Sequence, residues 1–247
     1  MNAIPHQERF RHDIKRRALT VAAVERITPN MLRLTFKDES LADFISLSPG
    51  DHIKVIVPDD NGLMQMRDYT PRKFDNAAQT LVIDFALHEV GPATLWALGA
   101  KVGDTLEIAG PRGSLVISDV KRWLLIGDET ALPSIGRRIE EGAPGTSFTS
   151  LVAVTGAAEQ QQFCTQVTHD SYWIHRPLDK ANDPAPIIES LKLLDIPPET
   201  FIWIGIEANV ARAVRGYLTE QRGISLSWVR ASGYWSMGIA DAHDKLD

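Results

Sequence analysis

The feature that most constrains this chain is a change of texture near residue 119. From Leu19 to about Ser118 the apolar residues fall in short, β-branched runs, "LTVAAVERI", "MLRLTF", "DHIKVIV", "TLVIDFALHE" and "DTLEIAG", which have the length and composition of strands. Glycine, proline and aspartate punctuate them in "SPGD", "PDDNG" and "GPRG", so an antiparallel β-barrel or sandwich is the natural inference. One interruption, "GPATLWALGAKVGD", sets Ala93, Leu95, Trp96 and Leu98 behind Gly91-Pro92 at spacings suited to a short helix. After "SDVKR" the pattern becomes apolar strands followed by helical stretches: "WLLIGD" then "ETALPSIGRRIEE", "FTSLVAV", "SYWIHR" then "APIIESLKLL", "FIWIGI" then "EANVARAVRGYLTEQ", and "ISLSWVRA". Such alternation indicates a parallel sheet covered on both faces. The expected architecture is two-domain, an antiparallel β-barrel over residues 1–118 and an open parallel α/β domain over residues 119–247. A chain of 247 residues exceeds the usual single-domain size.

Composition narrows the function classes. The net charge of -6 argues against nucleic acid as the main partner, because phosphate binding depends on a basic surface. A single cysteine, Cys164, excludes an internal disulfide, a cysteine-built zinc site and an iron–sulfur cluster held by this chain's own thiolates. Cys164 has no adjacent cation and reads as an inert thiol. The segment "MNAIPHQERFRHDIKRR" has charges where a secretory signal needs its apolar core, and no apolar run reaches membrane-spanning length. A cytoplasmic location is the expectation, with a solvated, poorly ordered terminus. Seven scattered histidines and the absence of Gly-x-Ser-x-Gly leave no metal pair and no nucleophile constellation.

The densest polar chemistry lies in "MRDYTPRKF", Met66 to Phe74. On a strand, Arg67, Tyr69 and Pro71 share one face while Asp68, Thr70 and Arg72 share the other. A flavin suits that division: Tyr69 offers a stacking ring, Thr70 a hydrogen bond to the ring edge and Arg67 a cation for phosphate. On these nine residues alone an ordinary surface strand is the slightly better reading. The balance shifts with "IDFALHEVGPATLWA", where a strand ending at His88 runs into a helix opening at Gly91, Pro92, Ala93 and Thr94. Free backbone N–H groups and a positive dipole end make a place for phosphate. His88 and Trp96 are ambiguous between packing and ligand contact.

"RDYTPR", "IDFALH" with "GPAT.WA", "GPRG", "GDETALP" and "ASGYW" together resemble the siderophore-interacting proteins, flavin-dependent ferric-siderophore reductases of the ferredoxin–NADP reductase superfamily. The resemblance covers nearly the whole chain. It implies a FAD site made by Arg67, Tyr69 and Thr70, by Asp84, Phe85, Ala86 and His88, and by Pro92, Ala93 and Thr94, with Trp235 against the far face of the flavin or as an anchor for the tail. It implies a basic pocket for an anionic ferric siderophore, in which Lys54 matches the family's position and Arg72 and Arg112 are further cations. For Arg112 a turn-stabilising role is equally plausible. The chemistry then resides on the flavin, and neither a catalytic side chain nor a resident metal is required.

Two departures stand out. Many relatives continue the tail with basic residues where this chain has Ser236 and Met237. Such a pocket is weaker, recruits Lys245, or suits a less charged hydroxamate chelate. At the turn where a dinucleotide site offers glycines, "IGDETALP" places Asp128 and Glu129, whose carboxylates compete with phosphate for the same N–H groups. NAD(P)H and a ferredoxin are therefore both candidate electron donors. The rival functions are a flavin or protein reductase of the same superfamily and a non-catalytic siderophore-binding flavoprotein.

Overall fold

In the computed structural model, which describes residues 4–87 and 91–238 and the backbone of 244–245, the chain divides into two compact units, Gln7–Val116 and a second of Met1–His6 with Ile117–Asp247. Through the first unit run β1 (His6–Arg11), β2 (Arg16–Thr28), β3 (Met31–Lys37), β4 (Ile53–Pro58), β5 (Met64–Tyr69), β6 (Lys73–Asp75), β7 (Thr80–Ala86), α1 (Pro92–Gly99), β8 (Thr105–Ala109) and β9 (Gly113–Ser118). Seven strands make one sheet in the order β5-β4-β8-β2-β3-β7-β6, with antiparallel pairing throughout. Alternation sends Leu34, Phe36, Val55, Ile83, Phe85 and Ile108 into a common core. The sheet curls until Tyr69 on β5 meets Phe85 on β7, ring centroids 4.5 Å apart, which gives the barrel-like form.

Helix α1 packs on this barrel through Ala93, Thr94 and Ala97, while Leu95 and Leu98 are exposed. The short helix expected behind Gly91-Pro92 is present, and its packed face is made by the small residues and not by Leu95 and Leu98. Small side chains let the helix approach the strands closely, and Trp96 reaches Phe85 and Phe36 with centroids 6.3 and 6.4 Å apart. A second correction concerns the charged segment near the beginning. Rather than a solvated terminus, His6–Arg11 is a strand paired with β9. Nearly all of its side chains are exposed, so backbone pairing carries it. Just beyond, the His12 ring Nε2 lies 2.8 Å from Ser114 Oγ. Ser114 donates its hydroxyl to buried Asp51 at 2.6 Å, and Asp51 also accepts from the Ser46 hydroxyl and the Ser48 N–H.

The second unit contains β10 (Arg122–Asp128), α2 (Leu132–Glu140), β11 (Ser147–Val154), β12 (Thr168–His175), α3 (Ala185–Leu193), β13 (Thr200–Glu207), α4 (Ala208–Gly216), β14 (Val229–Trp235) and β15 (Asp244–Lys245). The order β12-β11-β10-β13-β14 is parallel, with β15 antiparallel at one edge. Every residue of β13 is buried, as a strand covered on both faces requires. Gly127 allows α2 to lie against β10: a Cβ there would stand 2.8 Å from Ala131 Cβ and Ile135 Cδ1 and 3.0 Å from the Gly205 carbonyl. The strand expected over "ISLSWVRA" begins only at Val229, after a tight turn at Leu226–Trp228, and continues to Trp235. "ASGYW" is therefore the latter part of the fifth parallel strand, paired with β13 with a register shift at Ile206/Glu207, and not a tail. No helix among the described residues is long and apolar enough to cross a membrane.

Candidate functional site

On β5, Val55 faces Arg67 and Ile53 faces Tyr69, while Lys54 faces Asp68. Val55 and Ile53 point into the barrel core, so Arg67 and Tyr69 share the inner side at an edge strand, and Lys54 and Asp68 share the outer side. Arg67 is half-buried and donates from Nη1 to the Met66 carbonyl at 2.8 Å. The Tyr69 ring packs on Phe85, and burial pushes its phenol well above the ordinary range against the pull of nearby Arg67. β5 ends at Tyr69. The expected alternation therefore stops there, and Thr70, Pro71 and Arg72 form a buried connection to β6, with the Arg72 N–H donating to the Val82 carbonyl at 2.9 Å.

β7 delivers the next group. Asp84 accepts both prongs of Arg33, Nε to Oδ1 at 2.7 Å and Nη2 to Oδ2 at 2.8 Å, and Arg72 Nε stands 3.7 Å from Oδ2. Phe85 is completely buried in the barrel core. Its side chain is thus unavailable to a cofactor, a correction forced by strand alternation, since Asp84 and Phe85 point to opposite faces. Ala86 is half-buried opposite Met31. His88 lies outside the described residues. Gly91 precedes α1 with nothing within 4 Å of the position a Cβ would take. Pro92 occupies the first turn, Ala93 and Thr94 are buried, and no side-chain cap is bonded to the helix. That open helix start, with its positive dipole end, suits an anion, and on β5 Arg67 suits a phosphate and Tyr69 a flat ring. These groups fit a flavin dinucleotide.

The three expected substrate cations have different surroundings. Lys54 Nζ donates to Asp68 Oδ2 at 3.0 Å, and its side chain is 38% exposed. Arg112 is exposed, with its carbonyl accepting from the His12 N–H at 3.0 Å. Arg72 is buried against Asp84 and is no surface cation. The expectation of a substrate cation at Arg72 is corrected, because its charge is drawn inward by the carboxylate.

In the second unit the carboxylates at the strand ends are already engaged. Fully buried Asp128 accepts from the Thr130 N–H (2.9 Å) and hydroxyl (2.5 Å), the Glu207 N–H (3.2 Å) and the Trp235 indole Nε1 (2.8 Å). Glu207 caps α4 through the Asn209 and Val210 N–H groups and takes the Met237 N–H at 3.3 Å. Ser134 Oγ lies 3.1 Å from the Tyr234 hydroxyl, whose pKa burial pushes up to about 12. Glu129 is buried and takes Arg176 Nη2 at 2.9 Å, and desolvation with the Asp128 charge raises it to about 7 despite Arg176. At this turn the Thr130 amide is already taken by the chain's own Asp128 carboxylate, which competes with a dinucleotide pyrophosphate there. The Asp128 network escaped sequence reasoning, since its partners lie 79 and 107 positions away. Among the described residues no cluster of His, Cys, Asp and Glu is placed to hold a metal ion.

Comparison with known proteins bears on both units. The family described as siderophore-interacting protein matches residues 120–238, and the siderophore-interacting FAD-binding domain matches residues 20–65 and 61–115. An Escherichia coli protein called NADPH-dependent ferric-chelate reductase is 33% identical, over 95% of this chain and 99% of its own length. The ferric acinetobactin reductase of Acinetobacter baumannii is 26% identical, over 95% of this chain and 83% of its own. Among solved structures, a siderophore utilization protein from T. fusca superposes with a TM-score of 0.89 at 31% identity, covering 96% of this chain and 98% of that one.

Proposed function

Because the chain belongs to the siderophore-interacting protein family, we propose that it is a cytoplasmic, FAD-dependent reductase of a ferric siderophore, releasing iron as Fe(II). The observation that carries this reading is that one FAD-binding domain holds both Arg67 and Tyr69 on an edge strand and an uncapped start of α1. When bound, FAD would supply the redox chemistry, coupling a two-electron donor to one-electron Fe(III). Arg67 and the first-turn amides of α1 would hold its phosphates, with Thr94 offering its hydroxyl to them. Tyr69 would pack on the ring, and Thr70 would bond its edge. Ala86 lets the backbone of β7 approach. Fe(II), a weaker Lewis acid than Fe(III), is held far less tightly by hard oxygen chelators, so reduction frees the metal.

Lys54 and Arg112 supply attraction for an anionic chelate. Asp68 offsets much of the Lys54 charge, which supports a chelate of low net charge, of hydroxamate type, over a highly anionic catecholate. As donor, the occupied Asp128 turn favours a ferredoxin over a dinucleotide gripped at that turn, although the Escherichia coli relative is named for NADPH. The test is anaerobic. Reduced protein is mixed with tris-catecholate and tris-hydroxamate ferric complexes, and flavin reoxidation is followed with a ferrous trap. Reoxidation coupled to ferrous iron is expected, faster with the hydroxamate. A protein that refuses FAD, or holds reduced FAD unreactive towards both chelates, refutes the reading.

A further inference from the structure

We propose that Asp84 is a positioning residue for the flavin cradle, tying its two limbs to one buried point through Arg33 and Arg72. The proposal rests on the reading above that FAD sits against β5 and the start of α1. Asp84 occupies the outward face of β7, between inward Ile83 and Phe85. Its side chain is nonetheless only 1% exposed. A carboxylate so placed is costly unless it is paired with good geometry, and here the pairing is a parallel fork from Arg33 at 2.7 and 2.8 Å plus Arg72 at 3.7 Å. These cations come from different segments, Arg33 from the neighbouring strand β3 and Arg72 from the connection after β5. One carboxylate thereby joins three pieces of chain.

Two of those pieces carry the proposed cofactor contacts. Arg72 follows Tyr69 and Thr70 by three and two positions. Its N–H is bonded to Val82 and its guanidinium is drawn to Asp84, so the segment is attached to β7 at two adjacent outward positions. Asp84 is also two residues before Ala86, on the limb that leads to α1. On that limb the Leu87 N–H is bonded to the Asn30 carbonyl at 2.9 Å. Stability alone gives no reason for such an arrangement, since well-packed apolar residues often replace a buried ion pair at no cost. A forked ion pair does fix direction, because the guanidinium plane and the carboxylate plane must match. The clamp therefore acts on where Thr70 and the approach to α1 stand, and through them on FAD.

The test uses full-length apoprotein titrated with FAD, followed by quenching of flavin fluorescence and by the shape of the visible band, at a temperature where each variant is folded by circular dichroism. Asp84→Asn is expected to weaken FAD about tenfold or more, the scale of one charge-assisted bond, and to alter the bound flavin's spectrum. Asp84→Glu is expected to recover part of both. Wild-type affinity and spectrum in Asp84→Asn overturn the proposal. If Asp84→Asn does not fold, Arg33→Lys, which keeps the charge and loses the fork, decides by the same titration: weaker FAD supports the clamp and unchanged FAD overturns it. Arg67→Ala separates the two readings. Loss there without loss in Asp84→Asn sinks the clamp alone, while no loss in either sinks the cradle as well.

Discussion

Replacing Glu129 by Gln isolates the energetic consequence of burying a carboxylate beside Asp128. In the folded protein Glu129 is raised from its ordinary value of 4.5 to about 7, chiefly by desolvation and then by the Asp128 charge, with Arg176 pulling the other way. Below pH 4.5 both the folded and the unfolded chain hold the proton, and the stability associated with the neutral group is fully present. Between 4.5 and 7 the unfolded chain has released it and the folded chain has not, so stability falls as pH rises through the folded value. The slope is about 1.4 kcal/mol per pH unit, which over this window amounts to roughly 3 kcal/mol. Glutamine keeps an acceptor for Arg176 Nη2, now 2.9 Å from Glu129 Oε2, and cannot ionise. The two proteins are expected to match near pH 4.5, and Glu129→Gln to be the more stable at pH 8 by up to that amount. Urea unfolding followed by tryptophan emission reads the correct unit, because Trp123, Trp173, Trp203, Trp228 and Trp235 all lie beyond Ile117 and only Trp96 lies before it. Titrating groups that do not interact with Glu129 cancel in the difference between the two proteins. A difference that stays constant from pH 4.5 to pH 8 refutes the burial argument.

Other perturbations follow from the same contacts. Trp235→Phe removes a donor from buried Asp128 and is expected to cost about 1–3 kcal/mol in urea unfolding; an unchanged midpoint contradicts the anchoring role. Gly127→Ala forces a methyl to within 3 Å of Ala131, Ile135 and the Gly205 carbonyl, and a loss of about 1–3 kcal/mol is expected from thermal melts. Asp68→Asn frees Lys54 from its partner and is expected to tighten binding of an anionic ferric chelate about threefold to tenfold at low salt, with Lys54→Ala weakening it and both effects shrinking as salt is added. Equal affinities in equilibrium titrations count against Lys54 as a substrate cation.

The architecture was legible wherever burial imposes a period. Continuous apolar runs at β10, β11 and β13 gave parallel strands, and alternation at β3 and β7 gave a half-covered antiparallel sheet. Legibility failed where backbone pairing acts without burial. His6–Arg11 has exposed side chains on both faces of a strand, so its sequence looks like solvated chain. It failed again at "ASGYW", whose glycine and serine hide the continuation of a half-buried strand to Trp235, whereas α1 was legible as a short helix behind Gly91-Pro92. In the candidate site, Arg67 and Tyr69 were readable because charge and an aromatic ring at an edge strand are chemically conspicuous. Treating Asp84 and Phe85 as one lining ignored their opposite directions. Arg33, the direct cross-strand partner of Asp84, gave no signal of its own, because a cation on an alternating strand has the look of an ordinary solvent face.

The quoted motifs share a property that connects fold with chemistry. "RDYTPR" contributes Asp68 to Lys54, "IDFALH" contributes Asp84 to Arg33 and Arg72, and "GDETALP" contributes Asp128 to the tryptophan of "ASGYW". Each motif thus carries one half of a contact whose other half lies elsewhere in the chain. A flavin that performs its own redox chemistry asks the protein for no nucleophile and no general base, only for ring, phosphates and substrate to be held in place. Such a site depends on acids and bases that orient backbone, and these are expensive to bury and ineffective unless the geometry is right. A sequence of this kind therefore looks rich in reactive side chains while its polar residues act mainly on one another. Ranking site residues by chemical reactivity will overcount those that touch the cofactor and pass over those, such as Arg33, that keep the contacting residues where they are.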